Sequence, residues 1–189
     1  MRMRVVELLG ASPKKILDVA CGPGRQTYQL AKAGHSVTGM DLSPDMLRQT
    51  KRDPALDLTY LEGDATSMPF SDSIFDVSTI SFALHDMPED LAINVLKEMK
   101  RVTKNHGRII IVDYNQPYNL FSKLFLRLSR LWETQYYWHF IQTGLQCYLE
   151  QAGFGPASKK VYLLENVQLV DITNVKLRGF TAVAFCVGG

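Results

Sequence analysis

Three aspartates near the beginning of the sequence follow short apolar runs: Asp18 lies near the end of one run, Asp41 at the end of the next and Asp64 just after the third. If these runs are parallel strands, the three carboxylates come to one edge of a sheet, and open parallel sheets bind their ligands at that edge. Aspartate is also common in turns and helix caps, which is the alternative reading. One carboxylate for each of three successive strands favours a ligand site.

The segment ILDVACGPGRQT, residues 16–27, joins the first apolar run to a glycine loop and the start of a helical pattern. Gly22 and Gly24, with Asp41 further on, are also compatible with a dinucleotide site. Two features count against that site: Thr27 replaces the third glycine, and Asp18 would repel a pyrophosphate. A unit charge at 4 Å contributes about 4 kcal/mol at an effective dielectric of 20. The loop therefore favours a cationic nucleoside over an anionic one.

Apolar runs alternate with segments of helical period along much of the chain, which predicts parallel strands with helices on both faces. The fold class is therefore α/β, with a doubly wound, mostly parallel, seven-stranded sheet in a single domain, 1–189, that ends in an antiparallel C-terminal strand. The predicted strands are 15–20, 36–40, 58–62, 75–80, 108–113, 159–164 and 180–187. The predicted helices are 1–10, 24–33, 44–52, 88–103 and 139–152.

Composition narrows the class of protein. The net charge is +2 and the 21 basic residues are spread along the chain, so we expect no nucleic-acid partner. Three widely separated cysteines predict neither a disulfide framework nor a zinc site, and we expect no metal. The apolar part of the N-terminal segment is too short for a signal peptide core. We therefore expect a cytoplasmic protein.

Four motifs follow one another in order: ILDVACGPG, VTGMDLSPDML, LEGDATSMPFSDSIFDVSTISFALHDM and LKEMKRVTKNHGRIIIVD. Together they span residues 15–113 and resemble the successive motifs of class I S-adenosylmethionine-dependent methyltransferases. Within that superfamily they are most similar to the ubiquinone and menaquinone biosynthesis C-methyltransferases. The resemblance implies a Rossmann-like methyltransferase fold, S-adenosyl-L-methionine as cofactor and S-adenosyl-L-homocysteine as its product.

The resemblance also implies roles for residues around the glycine loop. Asp18, Ala20, Gly22 and Gly24 would line the methionine end of the cofactor, with Asp18 acting on the ammonium group. Phe82 would lie near the reacting methyl group. Ala20 stands where many members of the family have glycine.

The adenosine end of the cofactor would be held by residues after the second and third strands. By resemblance, Asp41 would accept hydrogen bonds from both ribose hydroxyls, with Leu42 and Met46 against the adenosine. Asp64 would accept from the adenine amino group, and the backbone N–H of Ala65 would meet a ring nitrogen.

Three residues are candidates for a base or for a group that orients the acceptor. His85 follows the fourth strand at the expected active edge, and histidine titrates near neutral pH. Tyr114 and His139 are the other two candidates. Each has a structural alternative, since His85 also fits a loop-to-helix cap and the others could pack with a satisfied polar tip.

The segment 114–140 is rich in aromatic residues and is interpreted as a substrate-covering helical insertion, which favours an apolar or aromatic small-molecule acceptor. Residues 120–132 form a basic amphipathic pattern that fits either a membrane-surface contact or a lid helix with a solvated face. The acceptor pocket would be either open or closed by the second subunit of a homodimer. An NAD-dependent oxidoreductase and a non-catalytic S-adenosylmethionine-binding protein stay open as alternatives.

Overall fold

A computed structural model describes residues 1–116, 134–163 and 166–176. The described residues form one seven-stranded sheet in the order β3-β2-β1-β4-β5-β7-β6. The first five strands are parallel, whereas β7 runs antiparallel to both β5 and β6. The strands are β1 (Lys15–Val19), β2 (Ser36–Asp41), β3 (Leu58–Glu62), β4 (Phe75–Ser81), β5 (Thr103–Tyr114), β6 (Ser158–Tyr162) and β7 (Val167–Thr173).

Helices cover both faces of the sheet, as the alternation of patterns predicts. Along β1, Ile16 joins a core cluster with Val5 of the first helix and Leu30 of the second. Leu17 and Val19 point to the opposite face, where the fourth to sixth helices pack. The helices are α1 (Arg2–Leu9), α2 (Arg25–Lys32), α3 (Pro44–Arg48), α4 (Glu89–Val102), α5 (Gln135–Thr143) and α6 (Leu145–Gln151). The doubly wound α/β fold is thereby confirmed.

The C-terminal part differs from the prediction in two places. The predicted helix 139–152 is two helices, because Gly144 between α5 and α6 adopts a left-handed φ of 78°. The antiparallel strand β7 is Val167–Thr173, a run that the sequence pattern did not single out. The predicted strand 180–187 lies outside the described residues, as do residues 117–133 of the predicted insertion, which include the whole basic pattern at 120–132.

Two further findings concern the cysteines and the length and polarity of the helices. Cys147 on α6 is disulfide-bonded, although the cysteine spacing predicted no disulfide framework, and Cys21 carries a free thiol. Every helix within the described ranges is too short or too polar to cross a lipid bilayer.

Candidate functional site

A cleft of about 740 Å³ opens at the carboxyl ends of β1, β2 and β4. This is the edge at which the strand order reverses, with β2 on one side of β1 and β4 on the other. Six of the residues implied by the resemblance line it: Asp18, Ala20, Gly22, Asp41, Met46 and Phe82. With Asp86, which also lines it, the cleft combines three carboxylates, a glycine loop and apolar side chains.

Asp18 is buried at the end of β1, and both of its carboxylate oxygens accept hydrogen bonds. The Thr27 hydroxyl donates to Oδ2 over 2.6 Å, and the Thr79 hydroxyl donates to Oδ1 over 2.7 Å. Burial raises the pKa of Asp18 to about 6, although the two hydroxyl groups partly offset that effect. Thr27, which replaces the third glycine, is therefore a buried hydrogen-bond partner of Asp18. Neither hydrogen bond was predicted: Thr27 was considered only as the replacement for a third glycine, and Thr79 is 61 residues away from Asp18.

The glycine loop is shaped by left-handed backbone and held by Asp41. Ala20, Gly22 and Gly24 have φ values of 50°, 54° and 70°. The Asp41 carboxylate accepts from the backbone N–H of Gly22 over 2.7 Å and from that of Ser43 over 2.9 Å. Asp41 thus ties the loop after β1 to the turn that begins α3. Ala20 adopts the left-handed conformation despite its Cβ, which is a modest strain that glycine would avoid.

Gly24→Ala is expected to destabilise the fold. A Cβ at this position would lie 2.3 Å from the Tyr60 hydroxyl, and the φ of 70° is unfavourable for any side chain. Strain and overpacking together should lower the free energy of unfolding by about 2 kcal/mol, measured by urea denaturation. Gly34→Ala is the matched control, because φ is 90° there and nothing lies within 4 Å of the added Cβ. An equal loss in both variants would contradict the predicted clash.

Gly24, Leu42, Asp64 and Ala65 are not part of the cleft wall. Leu42 is 70% exposed. Asp64 follows β3 and is exposed, and its Oδ1 accepts from the backbone N–H and the hydroxyl of Thr66. These hydrogen bonds hold the pKa of Asp64 below its ordinary value. The three carboxylates do come to one edge of the sheet, but only Asp18 and Asp41 meet in the cleft.

The residues present fit a nucleoside that carries a positive charge. A Cβ on Gly22 would meet nothing within 4 Å, so the loop leaves open space beside its backbone. Met46 and Phe82 are large apolar side chains that are 42% and 39% exposed at the cleft, where they could cover a flat ring. Asp41 offers carboxylate oxygens that suit hydroxyl donors. Two arginines, Arg2 and Arg25, also line the cleft beside its carboxylates.

Cys21 belongs to the same loop but does not suit covalent catalysis. Burial and the neighbouring carboxylates of Asp18 and Asp41 raise the pKa of its thiol. A thiol becomes a strong nucleophile only when it is deprotonated.

His85 and Tyr114 come together beside the cleft, whereas His139 does not join them. His85 lies in a 3₁₀ turn over Leu84–Asp86, and its ring centroid is 4.7 Å from that of Tyr114 and 5.9 Å from that of Tyr137. His139 lies on α5, where its Nε2 is paired with Glu89 of α4. The structure thus separates the three candidates into one cluster and one helix-to-helix contact.

Two further acids surround His85, and neither was predicted as a site residue. Asp113 at the end of β5 is fully buried, with Oδ1 2.7 Å from His85 Nδ1. Asp86 has Oδ2 3.1 Å from His85 Nε2 and lines the cleft. The signal for Asp113 was present in the sequence, because it ends an apolar run just as Asp41 does.

The chain is similar to known methyltransferases along most of its length. Residues 16–107 match the family model described as a methyltransferase domain. An uncharacterized methyltransferase of Synechocystis sp. is 35% identical over 168 residues, which cover 88% of this chain and 79% of that protein. A demethylmenaquinone methyltransferase of Staphylococcus aureus is 34% identical, with 95% of this chain and 77% of that protein covered.

A solved structure shows the same fold. A protein of Pyrococcus horikoshii superposes with a TM-score of 0.73 at 21% identity, covering 91% of this chain and 89% of that one. This likeness shows the fold, and the sequence relatives show the family. The chain belongs to the class I S-adenosylmethionine-dependent methyltransferases, in the branch that contains the quinone biosynthesis enzymes.

Proposed function

We propose that this methyltransferase binds S-adenosylmethionine in the cleft between β1, β2 and β4 and methylates a small aromatic acceptor of the quinol type. The observation that carries the proposal is the position of Phe82, which belongs both to the cleft and to a cluster of aromatic rings. Phe82 lines the cleft, and its ring centroid is 5.5 Å from that of Tyr114, which in turn is 5.2 Å from that of Tyr137. The cleft is therefore adjacent to a cluster of three aromatic rings, Phe82, Tyr114 and Tyr137, which we call the aromatic wall.

The aromatic wall suits a flat, apolar acceptor. Its rings pack edge to face, with interplanar angles of 67° between Phe82 and Tyr114 and 80° between Tyr114 and Tyr137. The relatives named as demethylmenaquinone methyltransferases support a naphthoquinol as the acceptor class.

In the proposed reaction, S-adenosylmethionine supplies a methyl group on a sulfonium, which is open to direct displacement. Asp41 accepts hydrogen bonds from the ribose hydroxyls, and Met46 covers the adenosine. Asp18 lies beside the positively charged methionine end. Phe82 and Tyr114 align the acceptor with the methyl group, and alignment alone can lower a barrier by roughly 7 to 11 kcal/mol in favourable systems. His139, paired with Glu89 on the far helix, stays a prediction without an assigned step.

Asp41→Ala is expected to weaken binding of S-adenosylmethionine about 20-fold, because hydrogen bonds from two ribose hydroxyls to a charged acceptor are lost. Isothermal titration calorimetry of the folded variant checks this value. Glu62→Ala is the matched control, since Glu62 ends the neighbouring strand at the same edge and is exposed. We expect less than a twofold change there. Equal affinity of Asp41→Ala and the wild type would remove the ribose role.

Two titrations and one transfer assay distinguish the competing functions. The wild type should bind S-adenosylmethionine and S-adenosylhomocysteine, and preferential binding of NAD would favour an oxidoreductase. Transfer of a labelled methyl group to demethylmenaquinone in its reduced form tests the acceptor class directly. Binding of the cofactor without transfer to a panel of naphthols, phenols, amines and thiols would favour a non-catalytic protein.

A further inference from the structure

The base for the proposed reaction must be a group that reaches the cleft. A general base has to come within about 2.6 to 3.2 Å of the proton that it takes. The side chain of His85 is only 7% exposed, and His85 is not part of the cleft wall formed by the described residues. The side chain of Asp86 is 54% exposed and lines the cleft next to Ala83 and Met87. Asp86 is therefore better placed than His85 to touch an acceptor.

Asp86 is connected to the core by two contacts of His85, an ion-pair contact with Asp86 and a hydrogen bond with Asp113. His85 Nε2 lies 3.1 Å from Asp86 Oδ2, and His85 Nδ1 lies 2.7 Å from Asp113 Oδ1. Asp113 also accepts from the backbone N–H groups of Leu84 and Tyr114, over 3.0 and 2.8 Å. Because an ionised carboxylate only accepts hydrogen bonds, His85 Nδ1 is the donor in its contact with Asp113, and Nε2 donates to Asp86 when the imidazole carries both ring protons. The imidazole is then fixed with Nε2 directed at Asp86.

The other oxygen of Asp86 faces the start of α5. The hydroxyl of Thr134, the N-cap of that helix, lies 3.5 Å from Asp86 Oδ1. This contact is long for a hydrogen bond, so Oδ1 keeps capacity to accept a proton. Oδ2 of Asp86 thus contacts His85, whereas Oδ1 has only this long contact among the residues that the structure describes.

We propose that Asp86 is the catalytic base of the methyl transfer and that His85 and Asp113 are its positioning residues, an inference that rests on the proposed function. The hydroxyl proton of the quinol passes to Asp86 Oδ1 as the adjacent ring carbon forms its bond to the methyl carbon. The carbon–sulfur bond breaks, and its electron pair stays on sulfur. The ring C–H proton is then lost to water, and Asp86 returns its proton to the ring oxygen.

Asp86→Asn should lower kcat for methylation of reduced demethylmenaquinone about 100-fold, because the amide cannot take up the proton. The affinity for S-adenosylmethionine and the acceptor KM should stay within about threefold of the wild type, since Asn keeps the size of the side chain. Asp90→Asn is the matched control, because Asp90 is an exposed acid in the first turn of α4, outside the cleft wall. Its kcat should equal that of the wild type.

Two further measurements separate proton transfer from a structural effect. Formate added to Asp86→Ala should restore part of the lost kcat and have no effect on the wild type. His85→Gln should lower kcat by a smaller factor than Asp86→Asn does and shift the pH profile of kcat. The nitrogen NMR chemical shifts of the His85 imidazole should change in Asp86→Asn and stay unchanged in Asp90→Asn, whether or not an acceptor is present.

Failure of the inference can be told apart from failure of the proposed function. If the wild type methylates the quinol while Asp86→Asn retains kcat within threefold, Asp86 is not the base and the methyl transfer still stands. A loss in Asp86→Asn that appears only in cofactor affinity also overturns the inference. A wild type that transfers methyl groups to no acceptor overturns the proposed function together with this assignment.

Discussion

Asp113→Ala is expected to lower the free energy of unfolding by about 3 to 4 kcal/mol. Asp113 is fully buried at the end of β5, and its oxygens accept from Leu84 N–H, Tyr114 N–H and His85 Nδ1. The change removes that acceptor from a site that water cannot enter. It also removes the contact that holds the turn after β4 against the end of β5. Urea denaturation followed by circular dichroism measures the loss.

Asp113→Asn provides the comparison, because it keeps the size of the side chain and one acceptor oxygen. We expect it to lose about 1 kcal/mol. Asp72→Ala serves as the surface control, since it removes an exposed ion-pair partner of Arg101. Exposed pairs contribute roughly 0.2 to 1 kcal/mol. A loss in Asp113→Ala no larger than that in Asp72→Ala would show that the buried hydrogen bonds do not hold this turn.

The positions of the first five strands along the chain could be predicted because each combines an apolar run with turn or helix signals nearby. The location of β7 could not, because its stability comes from partners far away in sequence. Asp171 lies within this strand, and an acid in an apolar run reads as a poor strand residue. In the structure Asp171 is paired with Arg108 of β5 over 2.6 Å. That contact exists only once β5 and β7 are neighbours.

The candidate site could likewise be predicted only in part. An acid at the end of a strand can be recognised from the sequence, which is how Asp18 and Asp41 were found. The arrangement around His85 depends on β5 lying next to β4, so that Asp113 comes beside the turn that carries His85 and Asp86. The spacing of the sequence motifs predicts where each strand lies along the chain. It does not predict which side chains contact each other across neighbouring strands.

Asp18→Asn is expected to raise the free energy of unfolding at pH 8 and to weaken the binding of S-adenosylmethionine at the same pH. Burial raises the pKa of Asp18 from 3.8 to about 6, so the folded protein binds more protons than the unfolded chain between these pH values. Stability therefore falls as pH rises through this window, and above it the ionised carboxylate destabilises the fold by about 3 kcal/mol. Asparagine removes the charge and can still bond to Thr27 and Thr79. The variant should be more stable than the wild type at pH 8, with the gain lost near pH 4.

The same substitution should weaken S-adenosylmethionine binding between about 100- and 1,000-fold at pH 8, because the cationic end of the ligand loses its buried counter-charge. The wild type should lose affinity as pH falls below about 6, by up to tenfold for each pH unit, since the ligand must displace the proton of Asp18. Asp18→Asn should show no such dependence. Urea denaturation and calorimetry at pH 5 and pH 8 give both quantities.

Asp57→Asn is the control for these measurements, because Asp57 is exposed and precedes β3 at the opposite edge of the sheet. It should change neither stability nor affinity at either pH. A buried carboxylate that weakens the fold persists only if something else requires its charge, and the cofactor is the group that fits. If Asp18→Asn were less stable than the wild type at pH 8 and bound S-adenosylmethionine equally well, Asp18 would be a structural residue and the electrostatic basis of the cofactor assignment would fail.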